Sequence, residues 1–335
     1  MRRVVCNPVR SRGFNLVTVL LVICFFEVCF ADSDQVEEKS EPKILSEEPG
    51  KLFENYYPRQ RFRQRRENLG PALSFLIPGL DQWIEGQYSS ALFYSGFALL
   101  GAGLAIGASL ESDNSIGSDF LSGDRQRRFF YGLQLYSWAG GLSGYQSFRS
   151  TVNSMGNSKY DFLKSQDESV SDILGAPFRF SYLKRWTTII PVSAAILASI
   201  ALTSLSDQKG HFTGEDGFYS LAYSYNAGTY EEAVFRGWLQ PMLMTGSISD
   251  NSANWIQAIL FGLAHLSPEN PAPIFQTLFG YYLGWLVQRN QMRVSEGVFI
   301  HTWWNVIVIA ASFYSLSPQE KKDKKLLIPL FRMSF

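Results

Sequence analysis

The sequence is poor in several side chains that enzymes use for chemistry. Its three cysteines, Cys6, Cys24 and Cys29, all fall near the start of the chain, so no later segment can supply a thiol nucleophile, a disulfide or a sulfur ligand for a metal. Only three histidines occur, and no His-Glu-x-x-His motif is present, which excludes a zincin-type site. Thirty basic and thirty acidic residues cancel, so no nucleic-acid partner is expected.

Long stretches of the chain carry almost no charge, because the charged residues are segregated into loops and tails. A short apolar stretch at residues 69–80, interrupted by proline and glycine, suits a re-entrant or interfacial helix. This pattern predicts an all-α fold, a polytopic transmembrane helix bundle of about seven to eight membrane helices. The predicted longer helices cover residues 89–110, 129–145, 186–205, 218–244, 253–266, 273–287 and 297–314.

Composition divides the chain into six consecutive segments. The first combines arginines with an apolar run, which is typical of a signal peptide or of an uncleaved signal anchor. An acidic run followed by a basic run then suggests a solvated linker. The predicted segments are a signal peptide or signal anchor (1–31), a charged flexible linker (32–67), an N-terminal membrane helical module (68–150), a polar linker (151–185), a helical core (186–315) and a basic C-terminal tail (316–335).

Two adjacent carboxylates and an arginine lie in the predicted helix 218–244. Glu232 and Arg236 are four residues apart and share a helical face, so the spacing predicts an ion pair. Glu231 lies about 100° around the helix from Glu232, which leaves its carboxylate free for chemistry. Ionisable groups at membrane depth are rare and usually functional, although a structural ion pair with a spare acid facing water would give the same pattern.

Two of the histidines also lie within apolar segments. His265 follows Phe261 by one helical turn, and Asn305 follows His301 by one turn, so each pair shares a face. A histidine in such a segment can simply join helices by hydrogen bonds. Polar side chains from three helices, however, match the needs of amide hydrolysis, namely a base for water, a partner that orients the water, and donors for the oxyanion.

The motifs Glu-Glu-x-x-x-Arg, Phe-x-x-x-His and His-x-x-x-Asn, in this order on successive helices, resemble those of the CPBP family, the CAAX prenyl protease and bacteriocin-processing (Abi) intramembrane proteases. The resemblance covers about residues 186–314. It implies an intramembrane endopeptidase of the CAAX prenyl protease 2 type, with its site inside the helix bundle. It also implies a bacterial inner-membrane protein that acts on a membrane-associated protein or peptide in the lipid bilayer.

The resemblance assigns a role to each motif residue. Glu231 would activate water with His265 as its partner, while His301 and Asn305 would line the oxyanion site. Glu232, Arg236 and Phe261 would support the site structurally. The family mechanism has been described with and without metal. We favour the version without a cofactor, and a divalent ion such as zinc would instead use Glu231, His265 and His301.

Two alternatives remain open from the sequence. One is a catalytically silent membrane protein that binds or protects a partner, as in immunity roles suggested for some relatives. The other is a rhomboid-like serine protease, because Gly141-Leu142-Ser143-Gly144 matches the Gly-x-Ser-Gly motif. Ser143 would then need His265 as its base, and close packing of a glycine-rich helix explains the same four residues.

Overall fold

Every secondary-structure element in the described part of the chain is helical, which confirms the predicted all-α class. The computed structural model describes residues 69–110, 123–154, 160–164, 168–204, 212–245, 248–266 and 270–315. A helical segment at 69–76 precedes the named helices. These are α1 (Leu80–Ile84), α2 (Tyr88–Leu110), α3 (Gly123–Ser154), α4 (Asp161–Lys164), α5 (Val170–Gly175), α6 (Trp186–Ser204), α7 (Gly214–Val234), α8 (Gln240–Met244), α9 (Asp250–Ala264), α10 (Ile274–Arg289) and α11 (Ser295–Tyr314).

Three helices among the described residues are long and apolar enough to cross a membrane. They are α2, α6 and α11, with 23, 19 and 20 residues. Helices α9 and α10 have only 15 and 16 residues. At 1.5 Å per residue they reach about 24 Å, short of a hydrocarbon core of about 30 Å. Helices α3 and α7 are long but contain many polar residues. The predicted number of seven to eight membrane helices is therefore not confirmed.

The predicted helix 218–244 is interrupted in the structure. Helix α7 ends at Val234, a π-helical turn covers Phe235–Leu239, and α8 completes the segment. Pro241 has no N–H group with which to continue a regular ladder, and it lies in the first turn of α8. A π-turn inserts one extra residue per turn and is common at functional sites. Here it begins three residues after Glu232.

The longer helices pack on one another in pairs. Helix α2 packs on α3, α3 on α7, α7 on α11, α11 on α6, and α9 on α10. Small residues allow the closest approaches. A Cβ atom on Gly101 of α2 would lie 2.6 Å from the backbone oxygen of Gly132 on α3, which no real side chain tolerates. Such backbone contacts are typical of helix association in membranes.

All the described residues fall within one compact unit, Pro58–Phe335. A second unit, Met1–Tyr57, lies outside the described residues. The predicted signal segment 1–31, the charged linker 32–67 and the basic tail 316–335 also lie outside the described residues.

The predicted polar linker 151–185 contributes to the packed interior. Tyr160, Leu163 and Ile173 from this segment are buried. Glu168 accepts hydrogen bonds from the backbone N–H groups of Val294 and Ser295 at the start of α11, at 2.7 and 3.0 Å. A carboxylate at this place satisfies N–H groups that a helix leaves unbonded. The segment therefore fixes the start of the helix that carries His301.

Candidate active site

The two glutamates lie near the end of α7, where this helix packs tightly on α11. Gly228 makes that approach possible, since a Cβ atom there would lie 2.3 Å from the Thr302 Oγ1 atom. Glu232 is fully buried and Glu231 is nearly so, with 6% of its surface exposed. Both carboxylates therefore face the interior of the helix bundle, where each charge requires a partner or a function.

Glu232 is held by two charged or polar partners. The Arg236 Nη1 atom donates to its Oε1 atom at 3.0 Å, so the ion pair predicted from the spacing is present. The Nδ1 atom of His301 lies 2.8 Å from the same oxygen and donates to it, since a carboxylate only accepts. Glu232 thus joins its own helix α7 to α11.

The Arg236 guanidinium is completely buried and connects several helices. Besides pairing with Glu232, its Nη2 atom donates to the backbone oxygen of Gly280 on α10 at 3.1 Å. Its Cζ atom lies 4.3 Å from the centre of the Phe261 ring on α9, a cation–π contact. Phe261 also contacts the ring of His265, with 4.5 Å between the ring centres. The arginine and the phenylalanine therefore form the frame around the carboxylates.

Glu231 is oriented towards both histidines. Its Oε2 atom lies 3.7 Å from His265 Nε2 and 3.8 Å from His301 Nε2. These distances are too long for direct hydrogen bonds. The Glu231 Oε2 and His301 Nε2 atoms are buried and have no hydrogen-bond partner among the described residues. Two polar groups at this separation are commonly bridged by a water. Such a water needs polar atoms to bond to, and the unbonded Glu231 and His301 atoms are of this type.

The other nitrogen of each histidine determines which tautomer faces Glu231. The His265 Nδ1 atom lies 2.6 Å from the backbone oxygen of Phe261, so it carries the proton that this bond requires. In neutral His265 the Nε2 atom therefore presents a lone pair. The same reasoning applies to His301, whose Nδ1 atom donates to Glu232. Two lone pairs and one carboxylate oxygen thus face a common point.

Asn305 lies one turn beyond His301 on α11 and is completely buried. Neither its side-chain oxygen nor its side-chain nitrogen has a hydrogen-bond partner in the described ranges. Buried amide groups are nearly always bonded, so an unbonded pair calls for a ligand or water.

All seven residues that the sequence singled out for the site are buried. Six of them are joined by the contacts given above, and Asn305 is placed by its helix.

Polar residues that the sequence analysis missed support this frame from α9. Gln257 donates to the Gly280 backbone oxygen at 3.0 Å, and Asn254 donates to the Tyr281 backbone oxygen at 3.1 Å. Gly284 leaves room for them, because a Cβ atom there would lie 1.9 Å from the Asn254 Oδ1 atom. The spacing of Asn254, Gln257 and Phe261 places them on one helical face, a signal that the sequence did contain.

Ser143 belongs to a different, structural network. Its hydroxyl donates to the Gln82 Oε1 atom at 2.8 Å and accepts from the Gly79 backbone N–H at 2.8 Å. Gln82 in turn donates to the Ser143 backbone oxygen at 3.0 Å. The nitrogens of His265 contact Phe261 and Glu231 instead. The contacts given for Ser143 therefore support helix packing and give no support to the rhomboid-like alternative.

A metal ion would need three ligands at one point. Glu231, His265 and His301 converge, yet no three His, Cys, Asp or Glu side chains in the described ranges are close enough together to hold one ion. We therefore derive no step through a metal.

The comparisons with known proteins bear on the same segment. Residues 215–307 match the family model described as "Type II CAAX prenyl endopeptidase Rce1-like". The comparisons with curated proteins and with solved structures found no match. The matched residues contain both glutamates, Arg236, both histidines and Asn305. The family match, together with three apolar helices of membrane-spanning length, indicates an integral membrane protein with a protease-family domain. The match confirms the resemblance that the motifs carried: residues 215–307 are similar to the CAAX protease (CPBP) family.

Proposed function

We propose that the protein is an intramembrane endopeptidase, of the CAAX prenyl protease 2 type, that hydrolyses a peptide bond of a membrane-associated protein or peptide. The observation that carries the proposal is the convergence of Glu231 Oε2 with the Nε2 atoms of His265 and His301, at 3.7 and 3.8 Å. A water at this point would be the nucleophile. The family match over residues 215–307 supports the same reaction class.

In the proposed reaction Glu231 acts as general base. It takes a proton from the water as the water oxygen adds to the carbonyl carbon of the substrate, which gives a tetrahedral oxyanion. Glu231 then passes this proton to the leaving nitrogen as the carbon–nitrogen bond breaks. His265 presents a lone pair and so orients the water by accepting its second hydrogen. No further reactant is needed, because water supplies both the hydroxyl and the proton.

The oxyanion requires donors. Asn305 supplies a side-chain N–H that has no other described partner, and it needs no change of protonation to donate. His301 is a donor at Nε2 only in its protonated form, with a proton taken from solvent before the attack and kept through the reaction, and the Glu232 carboxylate at its Nδ1 atom stabilises that cation. Donors fixed in a buried site act mainly on the transition state, because the charge that they stabilise forms only during the attack.

Glu232, Arg236 and Phe261 keep this geometry without contacting the substrate in the proposed mechanism. The ion pair fixes the turn of α7 that carries Glu231, and the guanidinium is fixed by α10 and by the Phe261 ring. Truncating one partner would leave a buried unpaired charge. We further propose, from the family resemblance alone, that the protein resides in a bacterial inner membrane and requires no cofactor.

The test is capture followed by cleavage. A Glu231→Gln protein, which keeps the shape but lacks the base, is used to trap substrates from solubilised membranes. Wild-type protein is then added, and new peptide termini are identified by mass spectrometry. We expect wild-type protein and a Glu85→Gln control to cleave the trapped protein, and Glu231→Gln to leave it intact. The control makes the same carboxylate-to-amide change in a part-buried residue that contacts Gln87 and Ser150.

Trapped proteins that bind equally well to the wild type and are never cleaved would contradict the proposal. Such a result would favour the silent, partner-binding alternative.

A further inference from the structure

Ser224 on α7 carries a buried hydroxyl group that the proposed hydrolysis does not use. Its side chain is completely buried, and its Oγ atom has no hydrogen-bond partner in the described part of the chain. The same holds for both polar atoms of Asn305 on α11. Buried polar groups are normally bonded, because an unbonded one retains the full cost of leaving water. Each of these atoms therefore needs a partner.

Other hydroxyl groups on α7 are bonded within the helix itself. Ser220 donates to the backbone oxygen of Asp216 at 2.7 Å, and Thr229 donates to that of Tyr225, also at 2.7 Å. This bond to the carbonyl group four residues earlier is the usual one for a hydroxyl inside a helix. Ser224 does not form it. Its hydroxyl therefore needs a partner from outside its own helix.

Helices α7 and α11 run in opposite directions where they touch. A Cβ atom on Gly228 of α7 would lie 2.3 Å from the Thr302 Oγ1 atom of α11. One turn later on α7, the Oε2 atom of Glu232 lies 3.3 Å from the position of a Cβ atom on Gly297, which is earlier on α11. A step forward along α7 therefore corresponds to a step backward along α11.

This direction places Ser224 and Asn305 at the same level. Ser224 is four residues before Gly228, and Asn305 is three residues after Thr302. At 1.5 Å per residue these steps are about 6 and 4.5 Å, taken in the same direction from one point of contact. The two levels therefore agree to within about 2 Å.

Both side chains also lie on the side of this contact that carries the candidate site. Ser224 is seven residues before Glu231, which puts the two only about 20° apart around α7. Asn305 shares the face of His301 on α11, one turn further along. Because Glu231 is oriented towards His301, the two helices turn these faces towards the same space.

A water molecule fits the chemistry of this pair. Ser224 and Asn305 are not bonded to each other, so their polar atoms are further apart than a direct hydrogen bond allows. A buried water usually bonds to two to four polar groups that have no other partner. A hydroxyl and an amide provide both donors and acceptors for it.

Building on the hydrolysis proposed above, we propose that Ser224 and Asn305 share a buried water molecule that orients the Asn305 amide. The Ser224 hydroxyl donates to this water, and the water donates to the Asn305 Oδ1 atom. The Nδ2 group is then left to donate to the oxyanion. Ser224 is thus a positioning residue, which acts through the water and Asn305 and does not contact the substrate.

A double-mutant cycle on the full-length protein in detergent tests the proposal. With one trapped substrate, we expect Ser224→Ala to lower kcat about three- to tenfold with little change in KM, as loss of one neutral hydrogen bond does. In the Asn305→Ala background the same change should alter kcat less than about twofold, because no amide remains to be oriented. Ser220→Ala is the matched control and should keep normal turnover, since its hydroxyl is bonded within α7.

The unfolding temperature gives a readout that needs no turnover. In a dry contact the Ser224 hydroxyl would be an unbonded group, so its removal would raise the unfolding temperature. With the shared water, we expect Ser224→Ala to lower it by about 2–4 °C, and by less in the Asn305→Ala background. If Asn305→Ala gives no folded protein, Asn305→Leu takes its place in the cycle.

Each outcome supports or overturns a defined part of the proposal. A higher unfolding temperature for Ser224→Ala, or additive effects of the two substitutions on it, overturns the shared water. A lower unfolding temperature with unchanged kcat overturns the positioning role. A wild-type protein that cleaves no peptide refutes the proposed hydrolysis and the positioning role with it, while the unfolding temperatures still support or overturn the shared water.

Discussion

Glu232 on α7 and His301 on α11 are joined by a direct hydrogen bond, with 2.8 Å between Oε1 and Nδ1. The two residues are 69 positions apart in the chain, and the same carboxylate oxygen also receives the Arg236 guanidinium. This contact gives Glu232 a structural task and leaves its neighbour Glu231 oriented towards the open nitrogens of both histidines. Two adjacent glutamates thus have different surroundings, and different consequences of mutation follow.

The first prediction separates the two glutamates. Glu232→Ala and Arg236→Ala should each destabilise the fold by about 3–5 kcal/mol, because the remaining partner is a buried, unpaired charge. Glu231→Gln should leave stability unchanged and abolish cleavage. Thermal unfolding in detergent and the yield of monodisperse protein measure the first effect, and peptide cleavage measures the second. Equal loss of folded protein in all three variants would refute this division.

The second prediction concerns Asn305. If it donates to the oxyanion, Asn305→Ala should lower kcat by about 10²–10³ with little change in KM, as loss of one such donor does elsewhere. Ser312→Ala, two turns further along the same helix, serves as the matched control and should keep normal turnover. Undiminished turnover of Asn305→Ala would return this residue to a role in helix packing.

The third prediction concerns His265. His265→Ala should reduce kcat more than Asn305→Ala does, because the water loses the lone pair that orients it. His265→Gln offers a comparison, since its amide oxygen can also accept a hydrogen bond and should restore part of the rate. Steady-state cleavage of one trapped substrate by the three variants gives the order. A His265→Ala protein with nearly wild-type kcat would remove His265 from the mechanism.

The fourth prediction concerns metal. Chelators should have little effect on cleavage if the Glu231 carboxylate alone activates water. The measurement is turnover after dialysis against a strong chelator, followed by addition of zinc or another divalent ion. Strong inhibition that metal reverses would contradict the metal-free mechanism and would make Glu231, His265 and His301 the ligands to examine.

The fifth prediction concerns the contact between α7 and α11. Gly228→Ala would place a methyl group 2.3 Å from the Thr302 Oγ1 atom, so the helices must separate. We expect a loss of about 1–3 kcal/mol of stability, together with lower turnover, because Glu231 and His301 lie on the two helices that move apart. Gly103→Ala, where the added methyl group meets open space, is the control and should be neutral. Equal effects of both variants would contradict this account.

The sequence alone predicted the candidate site residues because their signals are local. A spacing of four places Glu232 beside Arg236, Phe261 beside His265 and His301 beside Asn305, whatever the helices pack against. The all-α class followed in the same way from the lengths of the apolar stretches. Such features depend on helical geometry and on composition, both of which can be read from neighbouring residues.

Other features depended on packing between distant segments and could not be read this way. The predicted number of membrane-spanning helices was not confirmed among the described residues, since a stretch such as α9 is apolar but shorter than a bilayer requires. The role of Glu168 at the start of α11 was missed, because nothing near it in the chain shows that a helix begins 127 residues later. Its surroundings in the sequence are polar and predicted only a linker.

The sequence by itself thus determined which candidate site residues share a helical face. Only the tertiary structure decided that His301 bonds to Glu232, that Glu231 is oriented towards His265 and His301, and that Ser143 bonds to Gln82. The physical reason is that a helix fixes the relations among its own side chains. Contacts between helices depend on close approaches at positions such as Gly228, and these are set by the packing of the whole bundle.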